Sequence, residues 1–592
     1  MKARLFLVIA LVPALISEVG LPRKAAAQAN SARELAGLWQ TKTRYGPDVR
    51  GPLVIRQING EWHAEIAEYS ATVKITGDNI SFELPEGRGA FQGRFAARRA
   101  SITGHWTQAA TLDDQSRFAS PVNLAKDKWG VWHGEIRPLD RTLTYYLMIK
   151  ARDDGTTGVF LKNPERNLGW RIRIDRVERE GTALKFFAAD TPGAKGRLLA
   201  QGIYDPEEKT MSVVLRGGTY DFARVGDGEA SDFYPRGRPA VPYVYTPPVQ
   251  LDDGWPTASL EDVGLSRDGI QKFIRMLIDT PIDSASAPEI HGVLIARHGK
   301  LVLEEYFHGE NRDKPHDTRS ASKSVTATLF GAAVRAGFPV SVSTPVYQVM
   351  NGGSFAPGLD PRKKALTAEH LLTMSSGLDC DDADPKSPGA EEYMANESAA
   401  ADYYKFMLDL KQVRDPGERS VYCSGQTNLA GGVLSRAANE PLTKMFWDLL
   451  AKPLQIKRYY LLLAPNGDPY MGGSAHFLLR DFMKFGQLHL NGGVWNGTRV
   501  LTPEWTRRAT SPLYMLRSEK KNYGYSWWVT EFPYKGRTIQ AFYAGGNGGQ
   551  VVMGIPELDL VVAFNGGNYN DPVLFTSQRV YVPQYILSAV KD

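Results

Sequence analysis

Residues 320–336 read SASKSVTATLFGAAVRA, a polar start followed by a largely apolar run. The apolar run is typical of a buried helix. Ser320 and Lys323 are three residues apart, so on a helix they lie on one face, one turn apart. A serine hydroxyl is a weak nucleophile until a base takes its proton, and a lysine can be that base if burial lowers its pKa. The stretch predicts an activated Ser320 at a helix start, where free backbone N–H groups stabilise an oxyanion.

A second candidate group is the tripeptide Tyr422-Cys423-Ser424, which follows the turn sequence DPGE at 415–418. A helix is expected to begin shortly after it, near Asn428. A tyrosine at such a position can relay protons between a serine, a lysine and a leaving group. By itself the tripeptide would be interpreted as a core tyrosine ahead of a helix.

A third candidate is a glycine-rich turn. Residues 544–550 read AGGNGGQ and directly precede an expected strand at 551–555. Glycines in this position allow a strand edge to approach a substrate closely. Alone, the segment would be interpreted as an ordinary turn.

In this order and spacing, the three motifs resemble those of the class C β-lactamase and penicillin-binding family of serine hydrolases. Two further stretches are similar to family segments: LLTMSSGL at 371–378, and LNGGVWNG at 490–497 followed by LTPEW at 501–505. The resemblance runs from about residue 257 to the end and does not cover the part before it.

The resemblance implies a role for each matching residue. Ser320 would be acylated, and Lys323 and Tyr422 would share general-base and general-acid duty. Ser424 fills the last place of the tyrosine motif, where asparagine is common. The backbone N–H groups of Ser320 and Gln550 would form the oxyanion hole. The implied fold is an α+β domain with an antiparallel sheet and a helical lobe, and the site lies between them.

The glycine-rich turn departs from the family pattern. Many β-lactamases and cell-wall peptidases have lysine or histidine, then threonine or serine, then glycine, where this chain has Asn547, Gly548 and Gly549. Losing the cation should cost about 1.5–3 kcal/mol of binding for a substrate carboxylate. This favours the esterase and small-amide hydrolase branch, which includes enzymes similar to 6-aminohexanoate oligomer hydrolases. An arginine from elsewhere could replace the cation, so a β-lactam or cell-wall peptide hydrolase stays open, as does an inactive binding or sensor protein.

The element pattern from residue 257 agrees with such a domain. A capped helix is expected over 266–280, and a hairpin over 291–297 and 301–307. Strands are expected again at 551–555 and 560–564. Strands at both ends of a helical middle predict one antiparallel sheet assembled from both ends of the domain.

The preceding part, residues 30–225, has a different pattern. Short alternating runs such as 54–58 and 143–149 are separated by turn signals such as Asn59-Gly60. This predicts an all-β barrel or sandwich. Similar openings at 37–39 and 130–132 are consistent with an internal duplication or with unrelated hairpins. Residues 226–256 are proline-rich and are expected to form a linker.

Residues 1–29 have the pattern of a signal peptide. Lys2 and Arg4 precede an apolar run over 5–16, which is shorter than the roughly 20 residues that span a bilayer. We therefore expect an exported protein, periplasmic or secreted. No later run is apolar enough to predict a transmembrane segment.

Composition limits the possible partners. The 592 residues are 43% hydrophobic and 23% charged, with a net charge of +5 and no basic run, so a nucleic-acid partner is not expected. Two cysteines, Cys380 and Cys423, could form a disulfide or remain buried thiols, and they are too few for a structural zinc site. We expect no metal and no cofactor, and a small-molecule ester or amide as substrate. The sequence leaves the oligomeric state open.

Four aspartates flank Cys380, at positions 379, 381, 382 and 384. They lack the glycine and the terminal glutamate of a calcium loop. We therefore expect a solvated loop at the rim of the pocket rather than a metal site.

Overall fold

The computed structural model describes residues 34–112, 115–154, 156–166, 172–188, 196–215, 218–226, 232–237, 241–282, 287–396, 401–516 and 520–591. The predicted signal peptide, residues 1–29, and parts of the predicted linker lie outside these ranges. Within them, no helix has both the length and the apolar composition needed to cross a membrane.

Strands dominate the N-terminal part, as the alternating sequence predicted. Turn residues with positive φ, such as Asn59 and Gly60, separate successive strands. The strands are β1 Gly37–Arg44, β2 Gly51–Ile58, β3 Glu61–Ile66, β4 Tyr69–Thr72, β5 Lys74–Thr76, β6 Asn79–Glu83, β7 Gly89–Phe95, β8 Ser101–Gln108, β9 Phe118–Lys126, β10 Trp132–Ile136, β11 Thr142–Ala151, β12 Thr157–Lys162, β13 Ile174–Glu180, β14 Ala183–Ala188, β15 Leu198–Asp205, β16 Thr210–Leu215 and β17 Gly218–Val225.

One compact unit of the chain contains a closed barrel. Strand β1 and strands β11 to β17 pair in chain order, and β17 returns to β1. The inward side chains of alternating strand positions are fully buried, among them Trp39, Phe186 and Met211. The all-β prediction for this part is confirmed, and barrel closure explains it physically, because a closed barrel has no free strand edge.

The second compact unit holds the remaining N-terminal strands together with the whole C-terminal part. The C-terminal strands are β18 Ile290–Arg297, β19 Lys300–Tyr306, β20 His316–Asp317, β21 Tyr459–Leu462, β22 His476–Phe477, β23 Val494–Trp495, β24 Thr498–Arg499, β25 Trp528–Tyr534, β26 Arg537–Gly546, β27 Gln550–Ile555 and β28 Leu560–Gly566. The helices are α1 Arg267–Asp279, α2 Ser322–Arg335, α3 Val346–Met350, α4 Pro361–Lys364, α5 Ala368–Leu372, α6 Glu391–Asn396, α7 Tyr403–Asp409, α8 Ser424–Ala438, α9 Leu442–Phe446, α10 Leu479–Leu490 and α11 Pro503–Ala509. Further helical turns cover Trp447–Ala451, Ser577–Ile586 and Leu587–Ala589.

The central sheet of the C-terminal part runs in the order β19-β18-β28-β27-β26-β25, with antiparallel pairing throughout. The prediction of one sheet built from both ends of the domain is confirmed. Neighbouring residues point to opposite faces, so Val293 packs with helix α1 and the C-terminal helical turns, and Leu294 packs with α10 and the helical lobe. The predicted cap of α1 is present, because Ser266 accepts a hydrogen bond from the Gly269 backbone N–H at 3.3 Å.

A second sheet of this unit runs in the order β4-β3-β2-β10-β9-β8-β7-β6-β5. Its strand β9 pairs with β21 of the C-terminal part, with Ala119 opposite Leu461 and Phe118 opposite Leu462. Strand β21 in turn pairs with β22, and β22 pairs with β20. A continuous hydrogen-bonded path therefore joins the N-terminal sheet to His316–Asp317, directly before the segment that holds Ser320.

Candidate functional site

Ser320 and Lys323 lie together at the start of helix α2. Ser320 is in a short 3-10 turn, Arg319–Ala321, and Lys323 follows in the first turn of the α-helix. The Lys323 Nζ donates a hydrogen bond to the Ser320 Oγ at 3.0 Å. Lys323 is only 2% exposed, whereas Ser320 is partly accessible. A buried cation is thus fixed against a reachable hydroxyl.

Tyr422 completes this group from the segment before helix α8. The Lys323 Nζ lies 5.1 Å from the centre of the Tyr422 ring, and the Tyr422 hydroxyl is one of its hydrogen-bond partners. The tyrosine ring also stacks on Trp528 of β25, with ring centres 6.0 Å apart. The structure brings Ser320, Lys323 and Tyr422 into one site.

Ser424 connects this site to two carboxylates. Its backbone N–H and its hydroxyl both lie 2.7 Å from the Asp382 Oδ2, and the hydroxyl lies 3.0 Å from the Glu391 Oε2. The Tyr470 hydroxyl donates to the other Glu391 oxygen at 2.6 Å. Burial and the nearby charge of Glu391 raise the pKa of Asp382. An acidic pair therefore stands where the family motif commonly has an asparagine.

The acidic pair changes the charge balance at Lys323. Burial alone would lower the pKa of the Lys323 ammonium group. Interaction with Tyr422 and the negative charges of Glu391 and Asp382 outweigh burial, and the pKa of Lys323 is raised. The outcome differs from the sequence-based expectation because the opposing carboxylates are on a loop whose position the sequence does not reveal.

The glycine-rich turn lies against the nucleophile segment. A Cβ atom on Gly546 would come within 2.3 Å of the Thr318 carbonyl oxygen and 3.1 Å of the Ala321 nitrogen. Only glycine allows β26 this close approach. Gln550, the first residue of β27, is fully buried, and its side-chain amide is held by the Gly566 carbonyl at 2.7 Å. The Gln550 side chain is therefore fixed in one orientation.

Asn547, Gly548 and Gly549 form the turn between β26 and β27. Asn547 pairs with Asn570 through two hydrogen bonds of 2.8 and 2.7 Å. Gly548 and Gly549 have positive φ, and a Cβ on Gly548 would come within 2.9 Å of the Tyr569 ring. The turn itself carries no charged side chain.

A basic group lies next to this turn. The Arg319 guanidinium is 5.1 Å from the centre of the same Tyr569 ring, and its Nε is 2.9 Å from the Asp317 carboxylate. Burial alone would raise the pKa of Asp317, but Arg319 and His476 lower it to about 2.

Arg166 adds a second arginine to this basic group. It acts electrostatically on Arg319, Asp317 and Tyr569, and burial together with the positive charge of nearby arginines lowers its own pKa. Its loop is anchored at Pro164, whose carbonyl accepts a hydrogen bond from the His291 Nε2 at 2.8 Å. The N-terminal part of the sequence thus contributes positive charge beside Asp317 and Arg319.

Cys380 and Cys423 are joined by a disulfide, with Cα atoms 5.8 Å apart. The bond ties the aspartate-rich loop to the residue that follows Tyr422. Of these aspartates, Asp384 is exposed, whereas Asp382 is directed to Ser424. The expectation of a solvated loop therefore holds for Asp384 but not for Asp382.

Comparison with known proteins identifies the C-terminal part. The family described as Beta-lactamase matches residues 283–573. These residues are a beta-lactamase family domain. The family is one of serine hydrolases, and the domain carries its fold at the C-terminal end of an otherwise β-rich chain.

Relatives of the beta-lactamase domain include hydrolases of several kinds. A 6-aminohexanoate-dimer hydrolase of Paenarthrobacter ureafaciens is 25% identical over 261 residues, which cover 40% of this chain and 63% of that protein. The chain thus matches less than two thirds of the length of that relative. Among solved structures, a penicillin-binding protein from Bacillus halodurans is 15% identical with a TM-score of 0.38, covering 49% of this chain and 94% of that one. A family VIII carboxylesterase is 17% identical with a TM-score of 0.40, covering 54% and 94%.

Sequence reasoning missed the charged neighbours of the site in the beta-lactamase domain. Asp382 had a usable signal, since it lies two residues beyond Cys380 and a disulfide would bring it beside the tyrosine motif. Glu391 and Tyr470 gave no local signal, because ordinary helix and loop sequences surround them. Arg166 gave none either, since it is distant in sequence from every catalytic motif.

Proposed function

We propose that the chain is a serine hydrolase that cleaves esters or small amides through an acyl-enzyme. The Ser320 Oγ forms a bond to the substrate carbonyl carbon while its proton passes to the Lys323–Tyr422 pair. The backbone N–H groups of Ser320 and Gln550 stabilise the oxyanion. Collapse of the intermediate breaks the bond to the alcohol or amine, which takes the proton. Water then releases the acid by the same steps.

The observation that carries this proposal is the 3.0 Å hydrogen bond between the buried Lys323 Nζ and the accessible Ser320 Oγ. Such a bond fixes the serine for proton transfer, and the centre of the Tyr422 ring lies 5.1 Å from the same ammonium group. The close contact of Gly546 with Thr318 and Ala321 supports an oxyanion hole at this place. The uncharged Asn547 turn supports neutral esters and amides as substrates.

The test is covalent labelling of the purified full-length protein with a fluorophosphonate. We expect the wild type to label and to hydrolyse p-nitrophenyl butyrate, and Ser320→Ala to do neither. Ser322→Ala is the matched control, because Ser322 is buried and its hydroxyl donates to the Arg319 carbonyl at 2.8 Å. Turnover by Ser320→Ala, or a well-folded wild type without labelling or turnover, would contradict the proposal and favour an inactive binding protein.

A second candidate is hydrolysis of a β-lactam or a cell-wall peptide. The observation that favours it is the basic group of Arg319 and Arg166 beside Tyr569, because a guanidinium binds a substrate carboxylate strongly. A panel of p-nitrophenyl esters, 6-aminohexanoate oligomers and a chromogenic cephalosporin separates the two candidates. Turnover confined to the carboxylate-bearing cephalosporin would replace the first candidate by the second.

We also infer that the protein is exported, with residues 1–29 removed as a signal peptide, and that its partner is a small-molecule substrate. We further propose that residues 30–225 and 257–592 are two sequence regions with a proline-rich linker at 226–256, and the pairing of β9 with β21 joins part of the first region to the second. N-terminal sequencing of the mature protein from the producing cells tests export. A mature protein that begins at Met1 would contradict it.

A further inference from the structure

The aspartate-rich loop holds the tyrosine motif, residues 422–424, at both ends. The Asp382 backbone N–H donates to the Tyr422 carbonyl at 2.9 Å. The Asp382 side chain accepts from the Ser424 backbone N–H at 2.7 Å, two residues further on. Between these two residues, Cys423 is bonded to Cys380. Every residue of the tripeptide is therefore tied to one short stretch of the loop.

The grip is itself fixed in place. The second Asp382 oxygen, Oδ1, accepts a hydrogen bond from the backbone N–H of Glu391 at 2.9 Å. Glu391 is in turn held by Tyr470 at 2.6 Å. Because both carboxylate oxygens of Asp382 are used, its side chain has one orientation, and it holds the Ser424 end of the tripeptide while the Asp382 backbone N–H holds the Tyr422 carbonyl.

The same two carboxylates set the electrostatic surroundings of the catalytic lysine. The charged and titratable groups that act on Lys323 are Tyr422, from the segment before α8, and Asp382 and Glu391, from the loop and helix α6. Arg319 also acts on Glu391, from the other side. The hydroxyl of Ser424 has a single proton, so it cannot satisfy both carboxylates at once. Because the donors that the two carboxylates have among the described residues are neutral groups, their hydrogen bonds leave the negative charge of the pair in place, and this charge acts on Lys323.

From these contacts we propose that Asp382 is a positioning residue, which fixes Tyr422 through the tyrosine motif and, together with Glu391, supplies the negative charge that Lys323 faces. The proposal rests on the proposed function, since it assigns Asp382 a role in the activation of Ser320. Asp382 touches neither Ser320 nor the carbonyl that Ser320 would attack. It acts through Tyr422 and Lys323.

The two parts of this role can be separated by substitution. Asp382→Asn keeps an acceptor oxygen and a similar shape but removes the charge. Asp382→Ala also removes the side-chain bonds to Ser424 and Glu391, while the backbone bond to the Tyr422 carbonyl and the disulfide remain. Asp384→Asn is the matched control, because Asp384 is an exposed acid on the same loop whose carboxylate only accepts from the Lys386 backbone N–H, at 2.9 Å.

The readout is the rate of fluorophosphonate labelling of the full-length protein as a function of pH, alongside kcat and KM for p-nitrophenyl butyrate. The acid limb of the labelling rate reports the protonation of the Lys323–Tyr422 pair. Without the negative charge of Asp382, the pair holds its proton less tightly, so the acid limb moves to lower pH in Asp382→Asn. In Asp382→Ala the limb moves in the same direction, and kcat falls on the order of 10- to 100-fold because the tyrosine motif is no longer held at Ser424.

Each outcome decides between a positioning role and a merely structural one. A shift in Asp382→Asn with an unchanged profile in Asp384→Asn supports the proposal. If both Asp382 variants keep the wild-type profile, or lose only thermal stability, the proposal is wrong. Ser320→Ala is assayed in parallel: labelling or turnover in that variant overturns the proposed function itself, whereas an inactive Ser320→Ala with normal Asp382 variants overturns only the role of Asp382.

Discussion

Two charged groups border Ser320, and they have opposite sign. On one side, Asp382 and Glu391 face Lys323 and bond to Ser424. On the other, Arg319 and Arg166 surround Asp317 and Tyr569. The acidic group acts on Lys323, whereas the basic group lies beside the glycine-rich turn. Under the proposed function, the acidic group would control proton transfer and the basic group would control which substrate charge binds.

The largest effect is expected from removing the disulfide that tethers the Asp382 loop to the tyrosine motif. Replacing both cysteines, in Cys380→Ser with Cys423→Ser, should lower the free energy of unfolding by about 3–4 kcal/mol, because the bond closes a loop between residues 43 apart. It should also slow labelling of Ser320, since Asp382 and Tyr422 lose their shared tether. Urea unfolding and labelling rates measure the two effects.

The control for this double variant is the wild type with and without dithiothreitol. Reduced wild type should approach the variant in stability. If the variant and the oxidised wild type have equal stability and equal labelling rates, the disulfide is not needed to hold Asp382 and Glu391 in place. The hydrogen bonds of Asp382 would then hold this acidic group by themselves.

The second largest effect is expected from acidification, which should lower the free energy of unfolding by protonating buried histidines. Burial, only partly offset by the charge of Asp317, lowers the pKa of His476 to about 4. Because this pKa is below the roughly 6.5 of an unfolded histidine, its contribution to stability is complete above pH 6.5 and is lost as the pH falls through 4. The loss should reach about 3 kcal/mol, and it places added positive charge on the basic side.

Urea unfolding of the wild type and His476→Gln between pH 7 and pH 4 measures this effect. The variant should show a shallower loss of stability in acid. His298→Gln is the matched control, since the His298 side chain is half exposed and lies far along the chain from the basic group. A wild-type acid dependence in His476→Gln would exclude His476 as its cause.

The smallest expected effect tests the basic side. Arg166→Ala should raise KM about 10-fold for a carboxylate-bearing ester, because one charge-assisted partner is lost, and should leave KM for a neutral ester unchanged. Arg98→Ala, at an exposed turn of the N-terminal sheet, is the control. If Arg166→Ala affects both esters equally, the basic group has a structural role, and only the acidic side of the comparison is functional.

Much of the fold was predictable because its signals are local. The α2 helix follows from an apolar run behind Ser320, and the central sheet follows from strand patterns at both ends of the domain. The barrel closure was not predictable, since alternation in β1 and β17 specifies strands but not which edges meet. The same holds for the pairing of β9 with β21, which joins segments of very different sequence position.

In the candidate site, as in the fold, the residues in local motifs were predictable and those that act through tertiary contacts were not. Ser320, Lys323 and Tyr422 lie in recognisable motifs, and the structure places them together. Arg166 acts through tertiary contacts, so its neighbours in sequence say nothing of its role, and the only sequence signal for Asp382 is its position next to Cys380. The charge of Asp382 contributes to the raised pKa of Lys323, and under the proposed function Arg166 would bind a substrate carboxylate.

The pairing of β9 with β21 has a practical consequence for anyone who dissects the chain. A fragment that begins near residue 257 would carry the complete beta-lactamase domain but would leave the edge of β21 uncovered, and an uncovered edge pairs readily with other chains. It would also leave Tyr459 without the 2.7 Å partner that His105 provides, and Tyr460 without its acceptor, the Arg137 carbonyl, at 2.9 Å. We therefore expect the isolated fragment to aggregate. The smallest fragment that stays in solution should retain the N-terminal sheet.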